Sequence, residues 1–470
     1  MMNAIPSPGE AYYLIEWLIR VAMLAVIPFR RSPAATRSWL MLIFFLPVPG
    51  LLLFLAIGTP RFPKWRAARF RKLRPFFAEM AERLGALPGE REDVEATAAT
   101  LATTLGGLPD VGGNMVAFLD DYDDMIDGLV ADIEAACDHV RLLVYIFADD
   151  ATGMKVIDAL RRAVARGVRC HVLVDAVGSH HWLRDTLRRL CEAGVDARAT
   201  LPFRLLRGRT RRDMRNHRKL FLIDGAIGYA GSQNIVAKDF RPGVTNRELV
   251  ARITGPAVAA MAAVFVADWY LETEAMLDAA PVLPPPTGSA HVQVLPSGAN
   301  YRLEGFETLL VWQIHRARQR VVIVTPYLIP DETLLGALRT AVARGVEIDM
   351  VVSAIADQKL VSLAQSSYYD ELLSSGVRIH RFRNFLLHAK NVRIDDRLAI
   401  LGSSNVDVRS FQLNEEISLL LFDPPSVARL REIQDIYLAQ SDEVLREPWR
   451  QRSALRKLAE NAARLVSPLL

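Results

Sequence analysis

Two stretches of the chain carry a histidine, a lysine two residues on and an aspartate five further: His217, Lys219 and Asp224, and again His388, Lys390 and Asp395. On a strand, positions i and i+2 face the same way, so each His–Lys pair is expected to project into one site. Ser232 and Asn234 follow His217 by 15 and 17 residues, and Ser403 and Asn405 follow His388 at the same intervals. A lone H-x-K arises by chance. Two copies with matching downstream Ser and Asn are hard to explain as core histidines.

Such a set suits displacement at a phosphodiester, a poor electrophile ringed by negative oxygens. A neutral imidazole attacks phosphorus to give a phosphohistidine, dividing one difficult step into two easier ones. A second, protonated imidazole supplies the proton that the departing alkoxide needs. The two lysines neutralise non-bridging oxygens as charge gathers in the transition state. Hydroxyls of Ser232 and Ser403 and amides of Asn234 and Asn405 are candidate further donors to those oxygens. A carboxylate on the far nitrogen of each ring would fix its tautomer, and Glu248 and Glu416 are the candidates. Nothing has metal-ligand spacing, so neither metal nor cofactor is expected. Cys137, Cys170 and Cys191 lie far apart and read as small buried hydrophobes.

The elements that must position these residues come in two copies. Ala163-Val164-Ala165-Arg166-Gly167-Val168 recurs as Ala341-Val342-Ala343-Arg344-Gly345-Val346. Before each copy lies a β-branched run (141–147; 320–324), then a helical pattern ending at Gly167 or Gly345, then another strand-like run (168–174; 346–352). Alternating strands and helices indicate βαβ units. A proline-rich linker, 281–289, joins the halves. The expected fold is α/β: two repeated α/β/α halves sharing one active site at their interface, plus an N-terminal transmembrane helical hairpin. The expected boundaries are 1–60 for the hairpin, 61–115 for a basic juxtamembrane helical segment, 116–280 for the first half and 281–470 for the second.

Hydrophobic residues make up 51% of the 470, and mean hydropathy is +0.15, an excess concentrated in the first sixty positions. Trp39–Ile57 is uncharged and about long enough to cross a bilayer core of ~30 Å. Pro47 and Pro49 interrupt it, which allows a kinked or re-entrant path. In Ala11–Phe29, Glu16 and Arg20 are spaced to pair on one helix face. A cleaved signal peptide fits poorly, because no basic region precedes the apolar run. Seven Lys and Arg residues from Arg61 to Arg74 outnumber the three between the segments, placing the body in the cytoplasm. With Trp65 and Phe70 among them, those residues suit an anionic lipid surface or a solvated flank. Arg204, Arg207, Arg209, Arg211, Arg212 and Arg215 form a second basic run, a solvated face or a loop gathering headgroups. Trp449–Leu470 reads as a basic amphipathic helix, packed on the body or lying at the membrane. The net charge of +4 does not choose among nucleic acid, membrane and phosphorylated substrate.

The two His/Lys/Asp sets, with Gly231-Ser232-Gln233-Asn234 and Gly402-Ser403-Ser404-Asn405, resemble the phospholipase D superfamily. Tyr145-Ile146-Phe147, Thr325-Pro326-Tyr327 and Val406-Asp407-Val408-Arg409-Ser410, with the apolar hairpin, bring the chain closest to its bacterial cardiolipin synthases. The resemblance implies that His217 is the nucleophile and His388 the general acid and base, with Asp224 and Asp395 as supports. Glu416 follows His388 by 28 residues, the family's spacing, whereas Glu248 follows His217 by 31. It further implies phosphatidylglycerol and other anionic phospholipids as partners. A phosphatidyl group passes between two phosphatidylglycerol molecules to give cardiolipin and glycerol, at a bacterial inner membrane, with no nucleic acid. Rival readings are a hydrolase with water as acceptor, a synthase with a phosphatidylethanolamine donor, a nuclease and a non-catalytic scaffold. Oligomeric state is not readable from the sequence.

Overall fold

The computed structural model describes residues 7–31, 33–58, 62–87, 93–202, 213–277, 281–301 and 303–466. Contacts divide the chain into two units, Met1–Phe62 and Pro63–Pro468.

In the first unit, Ser7 and Glu10 form a capping box at the start of a helix over Pro8–Val26. Glu16 and Arg20 pair at 3.2 Å, as their spacing predicts. The apolar run 39–57 is not one helix. Pro47 forbids helical continuation through Leu46 (φ −132°, ψ 74°), leaving helices over Pro33–Phe45 and Pro47–Ile57. The helices meet through Ile27, Trp39, Ile43 and Phe54. Among the described residues, no helix is long and apolar enough to cross a membrane. Helix length therefore lends the expected spanning hairpin no support.

The second unit is built on a fifteen-stranded sheet among the described residues. Its first half supplies β1 (Asp110–Leu119), β2 (His139–Val144), β3 (Arg169–Asp175), β4 (Asp196–Thr200), β5 (Leu220–Ile223), β6 (Ile227–Gly231) and β7 (Val250–Thr254). The second supplies β8 (Ala290–Ser297), β9 (Arg320–Val324), β10 (Glu347–Ser353), β11 (Arg378–Phe382), β12 (Asn391–Ile394), β13 (Leu398–Gly402), β14 (Glu416–Leu421) and β15 (Ser441–Glu443). The first half runs β4-β3-β2-β5-β6-β7-β1 and the second β11-β10-β9-β12-β13-β14-β8, the same order, with β15 added beside β11. At the centre β1 pairs antiparallel with β8. The repeat legible in the sequence is thus a repeat of topology.

Alternation along the strands builds three apolar layers. In β2, Val140, Leu142 and Val144 enter the first half's own core, while Leu143 enters a core common to both halves. In β9, Val321 and Ile323 enter the second half's core, and Val322 and Val324 the common one. A helix over Ala257–Thr273 lies almost entirely buried in that common core. Gly167 (φ +91°) and Gly345 (φ +88°) end the helices Ala151–Ala165 and Glu332–Ala343 in the left-handed conformation, as the sequence predicts.

Three expectations need correction. The boundary placed at 116 falls inside β1. Cys137 and Cys191 are exposed, and only Cys170 is buried. The basic segment after residue 61 is turned partly inward: Arg66 is fully buried, pairing with Glu272 at 2.5 Å and Glu415 at 2.9 Å, while Lys64, Arg71, Lys72 and Arg74 are exposed. Arg69 pairs with Glu274. Charges needing partners drew this helix, Lys64–Lys72, onto the body. The linker 281–287 is irregular and leads into β8, as expected. Residues 204–212 of the second basic run lie outside the described residues.

Candidate active site

His217 and His388 each stand just before the hairpins β5–β6 and β12–β13. Short backbone pairings cross between the halves there. His217 N donates to Glu415 O at 2.8 Å, and Glu415 N to Arg215 O at 2.8 Å. In the mirror arrangement, His388 N donates to Arg247 O at 2.8 Å, beside a parallel pairing of Leu386–Leu387 with Asn246–Arg247. The residue after each acceptor is a glutamate, so each histidine is set against a carboxylate of the opposite half. His217 Nδ1 lies 3.1 Å from Glu416 Oε2, and His388 Nδ1 lies 2.7 Å from Glu248 Oε1. Both candidate glutamates orient a histidine, but the pairing is crossed; distances in sequence within a half had no bearing on it.

The serines support these carboxylates. Ser403 Oγ donates to Glu416 Oε2 at 2.5 Å; Ser232 Oγ donates to Leu249 O at 3.2 Å and helps to lower the Glu248 carboxyl. Both serines are fully buried. Ser403 thereby completes a Ser–Glu–His chain.

A cavity of about 160 Å³ opens over the rings, lined by His217, His388, Asn234, Asn405 and Arg409 among others. Asn234 Oδ1 accepts from Ile146 N at 3.0 Å, which leaves its NH₂ group to donate. Lys219 and Lys390 lie beneath, their Nζ atoms 2.6 and 2.5 Å from the carbonyls of His217 and His388. Tyr145, at the end of β2, meets His217 edge-on with ring centroids 4.7 Å apart, and Tyr327, beyond β9, stands 6.4 Å from His388. Roles for these tyrosines were not read from the sequence; their signal was a polar aromatic just past the first parallel strand of each half. Arg409 forms no ion pair among the described residues; its side chain donates to Asp213 O, at 3.3 Å. Arg215, by contrast, is buried against Asp175 at 3.0 Å, which holds it as an internal support.

Asp224 and Asp395 stand apart. Each occupies a left-handed turn position (φ +53° and +50°) and accepts backbone N–H groups. Asp224 takes those of Cys137, Asp138 and His139, each at 2.8 Å. Asp395 takes those of Arg318, Gln319 and Arg320 at 3.0, 2.8 and 2.9 Å. Their placement among the catalytic candidates is corrected to anchoring the hairpin turns, as the implied supporting role has it.

Burial sets the electrostatics. It pushes His388 down to about 4 and His217 below its ordinary value, against the opposing pull of Glu248 and Glu416. It also pushes Lys219 down to about 7 and Lys390 to about 8. For Glu416, burial works upward and is outweighed by His217 and Lys219; for Glu248, by His388 and Lys390. With Nδ1 of each ring turned to a carboxylate, the geometry suits imidazoles that donate from Nδ1 and leave Nε2 with a lone pair. It can supply a nucleophile, a proton carrier and poised ammonium groups in one pocket.

Residues 129–269 and 310–435 match the family described as "Cardiolipin synthase, PLD-like domain". Cardiolipin synthase A of Erwinia tasmaniensis is 33% identical over 97% of this chain and 97% of its own length. That of Pectobacterium carotovorum is 33% identical over 98% of this chain and 99% of its own. Among solved structures, phosphatidylserine synthase of Haemophilus influenzae superposes with a TM-score of 0.58 at 16% identity, covering 80% of this chain and 99% of that one, a likeness of fold.

Proposed function

Because the chain belongs to the family of cardiolipin synthases with phospholipase D-like domains, we propose that it transfers a phosphatidyl group between two phosphatidylglycerol molecules, giving cardiolipin and glycerol. The observation that carries this reading is the pair of crossed carboxylate–imidazole contacts, Glu416–His217 and Glu248–His388, meeting at one cavity.

His217 Nε2 attacks phosphorus; a P–N bond forms, and the P–O bond to the headgroup glycerol breaks. His388 gives the departing oxygen its proton. Burial lowers the basicity of His388, and an anionic phosphodiester beside it restores proton affinity. His388 then takes a proton from a glycerol hydroxyl of a second phosphatidylglycerol. That oxygen attacks phosphorus, the P–N bond breaks, and cardiolipin is released. Lys219, Lys390 and the amides of Asn234 and Asn405 hold the non-bridging oxygens. The guanidinium of Arg409 at the cavity wall adds positive charge suited to anionic lipid.

In this reading residues 7–58 attach the enzyme to the bacterial inner membrane as a multi-pass element, with the body in the cytoplasm by the Lys and Arg count. Apolar side chains exposed on these helices, among them Leu18, Val21, Leu52 and Leu55, suit lipid contact.

Purified protein is incubated with phosphatidylglycerol in mixed micelles without added metal, and products are identified by mass spectrometry. Cardiolipin with equimolar glycerol, absent with His217→Ala, supports the reading. Phosphatidic acid as sole product makes the enzyme a hydrolase.

A further inference from the structure

The C-terminal helix over Ala454–Val466 is amphipathic, as the sequence predicts, yet it docks the other way round from a core helix. It packs on the helix Lys359–Ser374 through Glu460, Arg464 and the small Ala463, which joins the second half's core. Glu460 is 1% exposed and accepts from Arg452 at 2.8 Å and Arg456 at 3.1 Å. Arg464 reaches Glu371 at 3.3 Å and lies over the Tyr368 ring at 4.2 Å. The apolar stripe points away: Leu455, Leu458 and Leu465 are 80%, 67% and 69% exposed, and Ala462 lies exposed on the same face. A row of three leucines and an alanine on one helix face is costly to leave in water.

We infer that this outward leucine face lies on an anionic phospholipid surface, as an interfacial contact made by the catalytic unit itself. Charge supports that occupant. Arg446, Arg450 and Arg456 are exposed along this stretch, against one exposed acid, Glu447, while Arg452 and Arg464 are taken up by Glu460 and Glu371. Basic residues beside an in-plane apolar stripe suit anionic headgroups, whereas the core of a protein–protein interface is depleted in lysine and charge. The inference goes beyond the proposed reaction and rests on it only in taking phospholipid as the substrate. It gives the catalytic unit a lipid contact of its own, additional to residues 7–58.

The full chain carrying Cys137→Ser, Cys191→Ser and Leu458→Cys is labelled with bimane and reconstituted into vesicles of phosphatidylglycerol and phosphatidylcholine. Leu458 packs against nothing that folding needs, and an unchanged melting temperature verifies this. Blue-shifted emission, with roughly half of it lost to acyl-chain nitroxide lipids and little to a soluble nitroxide, is expected. Quenching by the soluble nitroxide alone places the stripe in water and overturns the inference. Shielding from both quenchers places it against protein, a second copy or another segment, and overturns it equally. The label reports immersion whether or not cardiolipin forms, so failure here and failure of the proposed reaction are told apart.

Discussion

At the scale of single residues, the site pairs groups whose chain neighbours belong to different halves. Glu416→Gln leaves the His217 ring in place but removes the charge that holds its tautomer. Cardiolipin formation should fall by about 10²–10⁴-fold, with KM for phosphatidylglycerol changed far less. Adding Ser403→Ala should cost less in that background than alone, because both act through one chain. Additive losses in steady-state rates would count against the chain. The lysines fix the alkaline limb. With Lys219 at about 7 and Lys390 at about 8, kcat/KM should decline as pH rises through that range, since the deprotonated amines no longer neutralise phosphate. On the acid side His217 is depressed, so its reactive neutral form persists below the pH at which an ordinary histidine titrates. Lys219→Arg should move the alkaline limb upward in a pH–rate profile. The histidines, lysines and asparagines were legible because repetition at fixed intervals is a sequence property. The glutamates were legible too, but their crossing was not, because partner choice depends on which backbone strands meet between halves, as Asn216 and Glu415 do.

At the scale of elements, the strands and helix stops were readable from β-branched runs and from Gly167 and Gly345. The aspartates show where motif membership and contact with substrate diverge. Asp224 accepts three backbone N–H groups at the β5–β6 turn, so Asp224→Ala leaves them without that acceptor in a partly buried turn. Chemical denaturation should report a loss of about 1–3 kcal/mol, with the pH–rate profile of the surviving folded enzyme unmoved. A shifted profile would give Asp224 a part in the chemistry. The burial of Arg66 in the helix Lys64–Lys72 was not legible, because a run of arginines looks the same whether it faces water, lipid or buried carboxylates. Only the fold brings Glu272 and Glu415 to Arg66. Likewise the break at Leu46 was foreseeable from Pro47, while the lengths of the two helices it leaves were not.

At the scale of the molecule, two repeats of one topology share a central core and a single cavity. Leu222 on β5 is fully buried in that core alongside Val322 and Leu401 of the other half. Leu222→Ala should therefore lower stability by about 2–5 kcal/mol while residues 63–466 continue to melt in one transition. Separate calorimetric transitions for the two halves would contradict a shared core. The repeat predicted this symmetry, but composition held no information on which faces of the strands would be shared.

The central claim is that one histidine forms a covalent bond to phosphorus while the histidine of the other half moves protons. The direct measurement uses His388→Ala, which lacks the proton carrier, with a phosphatidyl donor bearing a phenolate leaving group that needs no protonation. After rapid quenching at alkaline pH, peptides are analysed by mass spectrometry. A phosphatidyl adduct is expected on the peptide containing His217, and none in His217→Ala. An unmodified His217 peptide despite release of the phenolate, or an adduct on another residue, would contradict it.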